Sequence, residues 1–500
     1  MKGNISMRAG FDNDKYMEIQ SECIRKRIAQ FGGKLYLEFG GKLFDDYHAS
    51  RVLPGFEPDS KIRMLSKIRD EVEIIIAINA DDIEKNKLRG DLGISYDDDV
   101  LRLTDIFRGL GFYVGSVVIT RYAGQPGADK FRKRLGDLGM KSFLHYPIPG
   151  YPSDIKGIVS ENGYGKNDYI ETVRPLVVVT APGPGSGKMA TCLSQLYHEN
   201  RRGVKAGYAK FETFPIWNLS LKHPVNIAYE SATADLDDIN MIDPFHLEAY
   251  GKTAVNYNRD VEIFPVLRAM MEQILGECPY KSPTDMGVNM AGFCIFDDDA
   301  VREAANMEIL RRYYSAADDV ARHAAPQSLL AKNELIVQQA GITKDIFPAI
   351  AASLRKEEET GKPAGAMQLP DGTIVTGKTS SLLGASAALL LNALKAVAGI
   401  DDSIDLIDSH TIEPICRLKT EKLGNHNPRL HSDEVLIALA ASSVHSEPAK
   451  KAMESLEKLR GCGAHFSIIL SAVDAKTYKK LGINTSCEPK YEHRTLYHRS

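Results

Sequence analysis

The clearest chemical signal in the sequence is a glycine-rich stretch that directly follows an apolar run. "LVVVT" (176–180) has the composition of a buried strand, and "APGPGSGKMATC" (181–192) follows it. Glycines there can turn the backbone so that its N–H groups face inward, and a helix beginning at Lys188 adds the positive end of its dipole. The pattern predicts a cradle for a phosphate or another anion. The predicted ligand-binding residues are Gly183, Gly185, Ser186, Gly187, Lys188 and Thr191.

The stretch departs from the usual phosphate-loop motif at both ends. The pattern G-x-x-x-x-G-K-[ST] requires a glycine where this chain has Pro182, and a hydroxyl where it has Met189. Thr191 lies close enough along the chain to replace the missing hydroxyl in part. The alternative interpretation is that the glycines only turn the chain, and the sequence leaves open whether the anion belongs to a nucleotide.

Acidic residues that follow or end predicted strands are candidates for holding a metal ion beside a bound phosphate. Four of them lie downstream of the glycine-rich stretch: Glu212, Glu230, Asp235 and Asp243. A magnesium–nucleotide site needs one or two carboxylates at such places. We predict Glu230 and Asp235 as magnesium ligands, and Lys188 and Asp235 as catalytic residues. Taken alone, each acid is more often a helix cap or a surface residue.

Two other glycine-containing stretches compete with this site. "GTIVTGKT" (372–379) matches the phosphate-loop letters in full, but its β-branched centre predicts a strand that cannot curl around a phosphate. An anion site at 376–380, where that strand meets a helix, is the lesser alternative for this stretch. "FGGK" (39–42) either admits a ligand at the carboxyl end of a sheet or forms a plain tight turn.

Histidines are frequent in the C-terminal part and leave a metal-dependent hydrolase open as an alternative function. They are His410, His426, His431, His445, His465, His493 and His498. Their spacing is not regular along a helix, and no H-E-x-x-H occurs, so polar lining of an active site or helix capping fits them better. Cys416, Cys462 and Cys487 are candidates for a nucleophile beside one of these histidines.

The elements that position these residues alternate between apolar strands and amphipathic helices over the first 290 residues. The predicted strands are 34–39, 73–80, 114–120, 142–146, 176–180, 207–211 and 225–230. Continuous apolar strands separated by helices imply a mostly parallel sheet that is covered on both faces. We therefore predict an α/β protein with a three-layer α/β/α domain over residues 1–290.

The pattern changes to helices after residue 290. Asp297, Asp298 and Asp299 precede a long helix to about residue 323, and further helices are predicted near 327–340 and 343–358. We assign residues 291–365 to this helical segment. Beyond it, a strand at 373–377, a strongly apolar helix over 380–400 and a strand at 465–470 predict a smaller α+β domain over residues 366–500.

Composition excludes several classes of function. The formal net charge of -4 gives no electrostatic footprint for nucleic acid or an anionic membrane, which leaves a small-molecule ligand as the expected partner. Seven cysteines without a C-x-x-C pair favour reduced thiols in the cytoplasm. No apolar run approaches the length of a membrane span, and no signal peptide is recognisable. We also expect a homo-oligomer, as is common for metabolic enzymes of this size.

Several stretches together carry a resemblance to a known family. "FGGKLFDDYHASRVLPGF", "VVVTAPGPGSGKMATCLSQLYHE", "AKFETFPIWNL" and "KSPTDMGVNMAG" resemble an uncharacterised bacterial family of about this length that is classed as a domain of unknown function. The resemblance covers nearly the whole chain and implies a similar multidomain architecture, but no activity. Some members carry an ATP-dependent peptidase label, which no H-E-x-x-H or G-x-S-x-G motif supports in this sequence.

The residues together favour an enzyme that binds a nucleotide or a phosphorylated small metabolite at 181–188 and carries out group transfer or ligation. ATP or another phosphate-bearing ligand, with magnesium, is the expected cofactor. The alternatives are a binding or sensing protein that uses the same cradle without chemistry, and the metal-dependent hydrolase described above.

Overall fold

The computed structural model describes residues 8–89 and 93–492. These residues form two compact units. The large-sheet unit comprises residues 10–230 and 237–301, and the small-sheet unit comprises 231–236 and the chain from 302 onward, together with the residues before 10. The three-part division predicted at residues 290 and 365 stays a prediction.

The strands of the described residues are short, and four of those in the large-sheet unit, at 72–79, 176–180, 207–211 and 255–257, are fully buried. They are β1 Leu35–Phe39, β2 Val72–Asn79, β3 Leu88–Arg89, β4 Ile94–Ser95, β5 Tyr113–Thr120, β6 Ser142–Leu144, β7 Leu176–Thr180, β8 Gly207–Phe211, β9 Asn240–Ile242, β10 Val255–Tyr257, β11 Gly287–Val288, β12 Ala364–Gln368, β13 Ile374–Lys378, β14 Gly463–Phe466 and β15 Asn484–Cys487.

The helices of the described residues range from single turns to more than six turns. They are α1 Asn13–Gln30, α2 Tyr47–Val52, α3 Ser60–Ser66, α4 Ala80–Glu84, α5 Tyr96–Gly109, α6 Pro126–Asp137, α7 Ile155–Ile158, α8 Lys188–Arg201, α9 Pro224–Ala232, α10 Pro244–Tyr250, α11 Asn258–Leu275, α12 Pro283–Met286, α13 Asp298–Ala321, α14 Gln327–Gln339, α15 Pro348–Thr360, α16 Ala385–Ala398, α17 Ser409–Arg417, α18 Ser432–Ser442, α19 Glu447–Glu454 and α20 Ala472–Lys480. None of them is long and apolar enough to cross a membrane.

A seven-stranded sheet organises the large-sheet unit. Its strand order is β11-β8-β1-β7-β2-β5-β6, and every neighbouring pair is parallel. All carboxyl ends of the strands therefore lie at one edge, where open α/β sheets place their ligands. The predicted parallel sheet is confirmed.

Helices cover both faces of this sheet, as β2 illustrates. Its side chains alternate: Ile74, Ile76 and Ile78 pack with α1, α3, α5 and α6, whereas Ile75 and Ala77 pack with α8 and α11. Burial on both faces explains why the strand is a continuous apolar run rather than an alternating one. The three-layer α/β/α architecture is confirmed.

The small-sheet unit contains a mixed four-stranded sheet of order β13-β12-β14-β15. β12 is antiparallel to β13 and β14, and β14 is parallel to β15. Met367 of β12 packs with the apolar helix α16, while the neighbouring Ala366 packs with Ile350 of α15. The predicted smaller C-terminal sheet with helices is confirmed.

One predicted strand is wrong. "VNIAYE" (225–230) lies within helix α9 instead of forming a strand. Its apolar residues at 225, 227 and 228 fit both patterns, and short apolar runs do not separate the two by periodicity.

Candidate functional site

The glycine-rich loop lies where the connections of neighbouring strands diverge. β7 lies between β1 and β2. Helix α8, which follows β7, packs on one face of the sheet, whereas α3 and α5, which follow β1 and β2, pack on the other. In open α/β sheets ligands bind outside the carboxyl ends of the strands at such a divergence, and residues 181–187 directly follow β7 at this place.

The loop backbone has the geometry of an anion cradle. Gly185 and Gly187 have φ of 75° and 83°, in the left-handed region that favours glycine. Gly187 is also the N-cap of α8, which begins at Lys188. Among the described residues, the N–H groups of these two glycines have no hydrogen-bond partner. Unpartnered N–H groups at a helix N-terminus attract negative charge.

Three carbonyl groups of the loop accept hydrogen bonds from side chains. Ser186 Oγ donates to the Gly183 carbonyl at 2.7 Å, and Thr120 Oγ1 donates to the Ser186 carbonyl at 2.8 Å. Asn79 Nδ2 donates to the Gly185 carbonyl at 3.4 Å. Asn79 and Thr120 are the last residues of β2 and β5, so neighbouring strand ends fix the loop. The Ser186 hydroxyl therefore donates its proton to a hydrogen bond within the loop.

Lys188 is a half-buried cation without a partner. Among the described residues, its ammonium has no hydrogen bond or ion pair. Burial lowers the Lys188 pKa below its usual 10.5, and Lys210 adds to this effect while Glu38 opposes it. Thr191, one turn further along α8, has a buried hydroxyl that also lacks a partner among the described residues. The Lys188 ammonium therefore remains available to a ligand, whereas the Thr191 side chain is fully buried.

Tyr96 closes one side of the loop. This first residue of α5 is only 6% exposed, and its hydroxyl has no hydrogen-bond partner in the part of the chain that the structure describes. A Cβ placed on Gly183 would lie 2.3 Å from the Tyr96 Oη. Gly183 is thus required by close packing against this phenol rather than by a positive φ.

A second feature, which we call the charge cluster, lies at the same edge of the sheet. It comprises Glu38, Lys210, Glu212, Tyr257 and Asp260. In the strand register, Glu38 of β1 is paired with both Val179 of β7 and Lys210 of β8. Val179 faces α8, so Glu38 and Lys210 face the same side, beneath the N-terminal half of that helix.

Lys210 connects the members of the charge cluster. Its Nζ lies 2.7 Å from Glu212 Oε1 and contacts Asp260 Oδ2 and the Tyr257 hydroxyl. The Tyr257 hydroxyl donates to Glu212 Oε1 at 2.8 Å. Glu38 accepts a hydrogen bond of 2.7 Å from the Tyr208 hydroxyl. The Lys210 and Asp260 side chains are each 11% exposed, so these charges are largely shielded from water.

The protonation of the cluster follows from this burial. Burial raises the pKa of Glu212 to about 7; Lys210 lowers it and Asp260 raises it. Burial lowers the pKa of Lys210, but Asp260 and Glu212 outweigh this and raise it above its usual value, so Lys210 stays charged. Glu212 is therefore a carboxyl group that exchanges its proton near neutral pH, as a general acid or base does.

The predicted metal ligands do not lie at the ends of strands. Glu230 lies on α9, and its Oε2 accepts from the Asn240 side chain at 3.3 Å. Asp235 is exposed on a single turn of 3₁₀ helix, Ala234–Leu236, in the small-sheet unit. Asp243, which the sequence also offered, caps α10 through the N–H groups of Phe245 and His246. The prediction that Glu230 and Asp235 follow or end strands is wrong. Their predicted role as metal ligands stays a prediction.

The C-terminal histidines are scattered. His410, His426 and His445 are exposed. His431 pairs with Asp474 at 2.9 Å and His465 is buried against Ser486, while His493 and His498 lie outside the described residues. In the described chain, no group of three His, Cys, Asp or Glu side chains could hold a metal ion.

The C-terminal cysteines are not poised for nucleophilic attack. Burial raises the pKa of the Cys462 thiol to about 11 and that of Cys487 to about 12, and it also raises the pKa of Cys416. Thiols of this kind stay protonated near neutral pH and are unreactive.

The other two glycine-containing stretches differ in what they contribute. Residues 374–378 of "GTIVTGKT" form β13, as predicted, and α16 begins only at Ala385. Gly40 and Gly41 of "FGGK" follow β1 beside the charge cluster, and Gly41 has φ of 70°. A Cβ on Gly40 would lie 3.8 Å from Glu212 Cγ.

Most of the charge cluster was not predicted from the sequence. Glu212 met the strand-end criterion but was not chosen, and Glu38, Lys210, Tyr257 and Asp260 were not considered. A signal was present, because Glu38 in "LYLEF" and Lys210 in "GYAKF" are charged residues inside otherwise buried strands. Buried charges require partners, so such positions mark paired or functional groups.

Comparison with known proteins gives the family of the chain. Residues 9–341 match the family described as domain of unknown function DUF1846, N-terminal, and residues 345–497 match its C-terminal counterpart. A UPF0371 protein of Streptococcus thermophilus strain LMD-9 is 57% identical over 490 residues, which cover 98% of this chain and 99% of that protein. A UPF0371 protein of Streptococcus pyogenes serotype M5 is 57% identical over 487 residues, covering 97% of this chain and 99% of that protein. The chain therefore belongs to the DUF1846 family.

Proposed function

We propose that the protein is a cytoplasmic enzyme that binds the phosphate of a nucleotide or phosphorylated small metabolite on loop 181–188, and carries out group transfer or ligation. The observation that carries this proposal is that, within the described residues, the loop has N–H groups free to donate while three of its carbonyl groups are already hydrogen-bonded. Its carbonyls are held by Asn79, Thr120 and Ser186, whereas the N–H groups of Gly185 and Gly187 have no partner among the described residues.

The cation beside the loop supports the same ligand class. A half-buried ammonium that makes no direct ion pair within the described residues loses solvation, and a phosphate within reach would restore the lost interaction. Lys188 therefore offsets phosphate charge, both in the bound ligand and as charge develops on a leaving group. Thr191, whose buried hydroxyl has no partner among the described residues, is retained as a further proposed contact for a phosphate oxygen or its magnesium ion on the sequence argument.

Group transfer is favoured over binding alone by the charge cluster at the same edge. A purely binding site needs no carboxyl group that titrates near neutral pH, whereas Glu212 supplies one two strands away from the loop. Glu230 and Asp235 are retained as proposed magnesium ligands, and Asp235 as a catalytic residue, on the sequence argument alone.

The test is a titration of ATP, GTP, ADP and inorganic phosphate, with and without magnesium, followed by a turnover assay with the ligand that binds. We expect saturable nucleotide binding and slow magnesium-dependent turnover. Saturable binding without turnover for any acceptor would favour a sensing protein instead. Light scattering of the same samples checks the proposed homo-oligomer, which a monomeric mass would exclude.

A further inference from the structure

Small residues follow the ends of the strands between the loop and the charge cluster. Continuing the strand registers past Glu38 places Ala181, Gly40 and Glu212 in one row across β7, β1 and β8. Gly40 has no side chain, and its N–H donates to the Phe211 carbonyl at 3.0 Å. Two strand spacings, about 10 Å, separate the ends of the row. A substrate group can therefore lie over Gly40 between the loop and Glu212.

Within the part of the chain that the structure describes, one oxygen of Glu212 has no hydrogen-bond partner. Its Oε1 accepts from both Lys210 and Tyr257, whereas its Oε2 makes no hydrogen bond within the described residues. Asp260 Oδ2 contacts Lys210 and Glu38 Oε2 accepts from the Tyr208 hydroxyl, but neither residue lies in the row formed by Ala181, Gly40 and Glu212. The side chain is 12% exposed, which leaves it narrow access to a ligand.

We propose that Glu212 Oε2 takes the proton of an acceptor hydroxyl that attacks the phosphoryl group held on loop 181–188. This inference rests on the proposed function and adds to it a catalytic base and the class of the second substrate. The acceptor lies over Gly40, on the β8 side of the loop, and water is its smallest representative.

The reaction balances without an oxidant or reductant. The acceptor oxygen forms a bond to phosphorus as its O–H bond breaks and the proton passes to Glu212. The bond from phosphorus to the leaving oxygen breaks, and that oxygen keeps the electron pair next to the Lys188 ammonium. Lys210 remains charged throughout and holds the Glu212 carboxylate in place.

Burial raises the proton affinity of Glu212 most, and four described groups that face it modify this effect: Lys210 on β8, Asp260 on α11, Tyr257 at the end of β10 and Tyr229 on α9. With a pKa of about 7, Glu212 is deprotonated above neutral pH. Because a base acts in its deprotonated form, turnover should rise as the pH is raised through this value.

The decisive variant is Glu212→Gln, whose side-chain oxygen can still accept from Lys210 and Tyr257. The matched control is Glu73→Gln. Glu73 is also a buried glutamate of this sheet, but it lies at the amino end of β2, at the opposite edge, and accepts from the Val173 N–H at 2.7 Å. The fluorescence of Trp217 confirms that both variants are folded.

Two quantities are measured on the full chain. Calorimetric titration with inorganic phosphate in buffers of different ionisation enthalpy gives the protons taken up on binding. Protons exchanged by the phosphate itself are common to all variants. The second quantity is phosphate release from magnesium-ATP, with water as acceptor, over pH 5.5–9.

We expect Glu212→Gln to bind phosphate with the affinity of the wild type and to take up fewer protons on binding. Its rate of phosphate release should be lower than that of the wild type by a factor of about 100 or more, as expected for loss of a general base. Glu73→Gln should change neither quantity. Tyr257→Phe, which removes a donor to Glu212, should move the acidic limb of the pH profile upward.

The inference is overturned if Glu212→Gln keeps the full proton uptake on binding phosphate, or if it releases phosphate at the wild-type rate. It is also overturned if neither protein releases phosphate. Phosphate binding to the wild type would then still support the proposed function. Absence of any binding of phosphate or nucleotide to the wild type instead overturns the proposed function, and the inference with it.

Discussion

Replacing the two left-handed glycines of the loop by alanine should have unequal effects on stability. Gly185 and Gly187 have nearly the same φ, so the backbone cost of an L-residue, about 1–2 kcal/mol, is common to both variants. Their surroundings differ. A Cβ on Gly185 meets nothing within 4 Å, whereas a Cβ on Gly187 meets the Thr120 side chain at 3.0 Å.

The additional cost at Gly187 comes from the displacement of Thr120. The Thr120 hydroxyl holds the Ser186 carbonyl at 2.8 Å, and a net hydrogen bond contributes about 0.5–1.5 kcal/mol. We therefore expect the free energy of unfolding to fall by about 1–2 kcal/mol in Gly185→Ala and about 1.5–3.5 kcal/mol in Gly187→Ala.

The assay is urea unfolding followed by tryptophan fluorescence. The chain has a single tryptophan, Trp217, which belongs to the same unit as the loop and donates to the Asn289 carbonyl at 2.9 Å. Its emission therefore reports on the unfolding of the large-sheet unit. Equal effects of the two substitutions, or a neutral Gly187→Ala, would refute the loop geometry.

Two further predictions concern paired charges. Lys210→Met leaves the carboxylates of Glu212 and Asp260 buried without a cation, so the free energy of unfolding should fall by about 3–5 kcal/mol at pH 8. The loss should shrink toward pH 6 as Glu212, whose pKa is about 7, takes up a proton; a loss independent of pH in urea unfolding would contradict this. In the small-sheet unit, the hydrogen bond to Asp474 raises the pKa of His431 above 6.5. The pair therefore stabilises the fold below about pH 6.5, and this contribution is lost as the pH rises through the raised pKa. Asp474→Asn should lower the His431 pKa in an NMR titration, and an unchanged value would exclude the pairing.

The arrangement of the large sheet could be predicted because its sequence signals are local and redundant. Strands such as 72–79 and 176–180 are apolar on both faces and are separated by helices with one apolar stripe. Only a parallel sheet with two covering layers buries both patterns. "VNIAYE" failed because six residues are too few to distinguish a strand from a buried helix.

The candidate site was only half predictable. The loop carries its signal in consecutive residues, since glycines and a lysine at a strand-to-helix turn suffice to indicate an anion cradle. The charge cluster carries no such local signal, because Lys210 and Asp260 lie 50 positions apart and meet only after β8 and α11 pack together. Pairing of this kind depends on the tertiary structure, and charged residues within buried strands are its only trace in the sequence.

The central claim is that loop 181–188 binds an anion through Lys188. The most direct measurement is a calorimetric titration of ADP and inorganic phosphate into the wild type, Lys188→Ala and the control Lys205→Ala. Lys205 is an exposed lysine just before β8, at the amino edge of the sheet. Loss of a charge-assisted contact of about 1.5–3 kcal/mol should weaken binding by about 10- to 150-fold in Lys188→Ala alone. Equal affinity of all three proteins, or no binding by the wild type, would contradict the account.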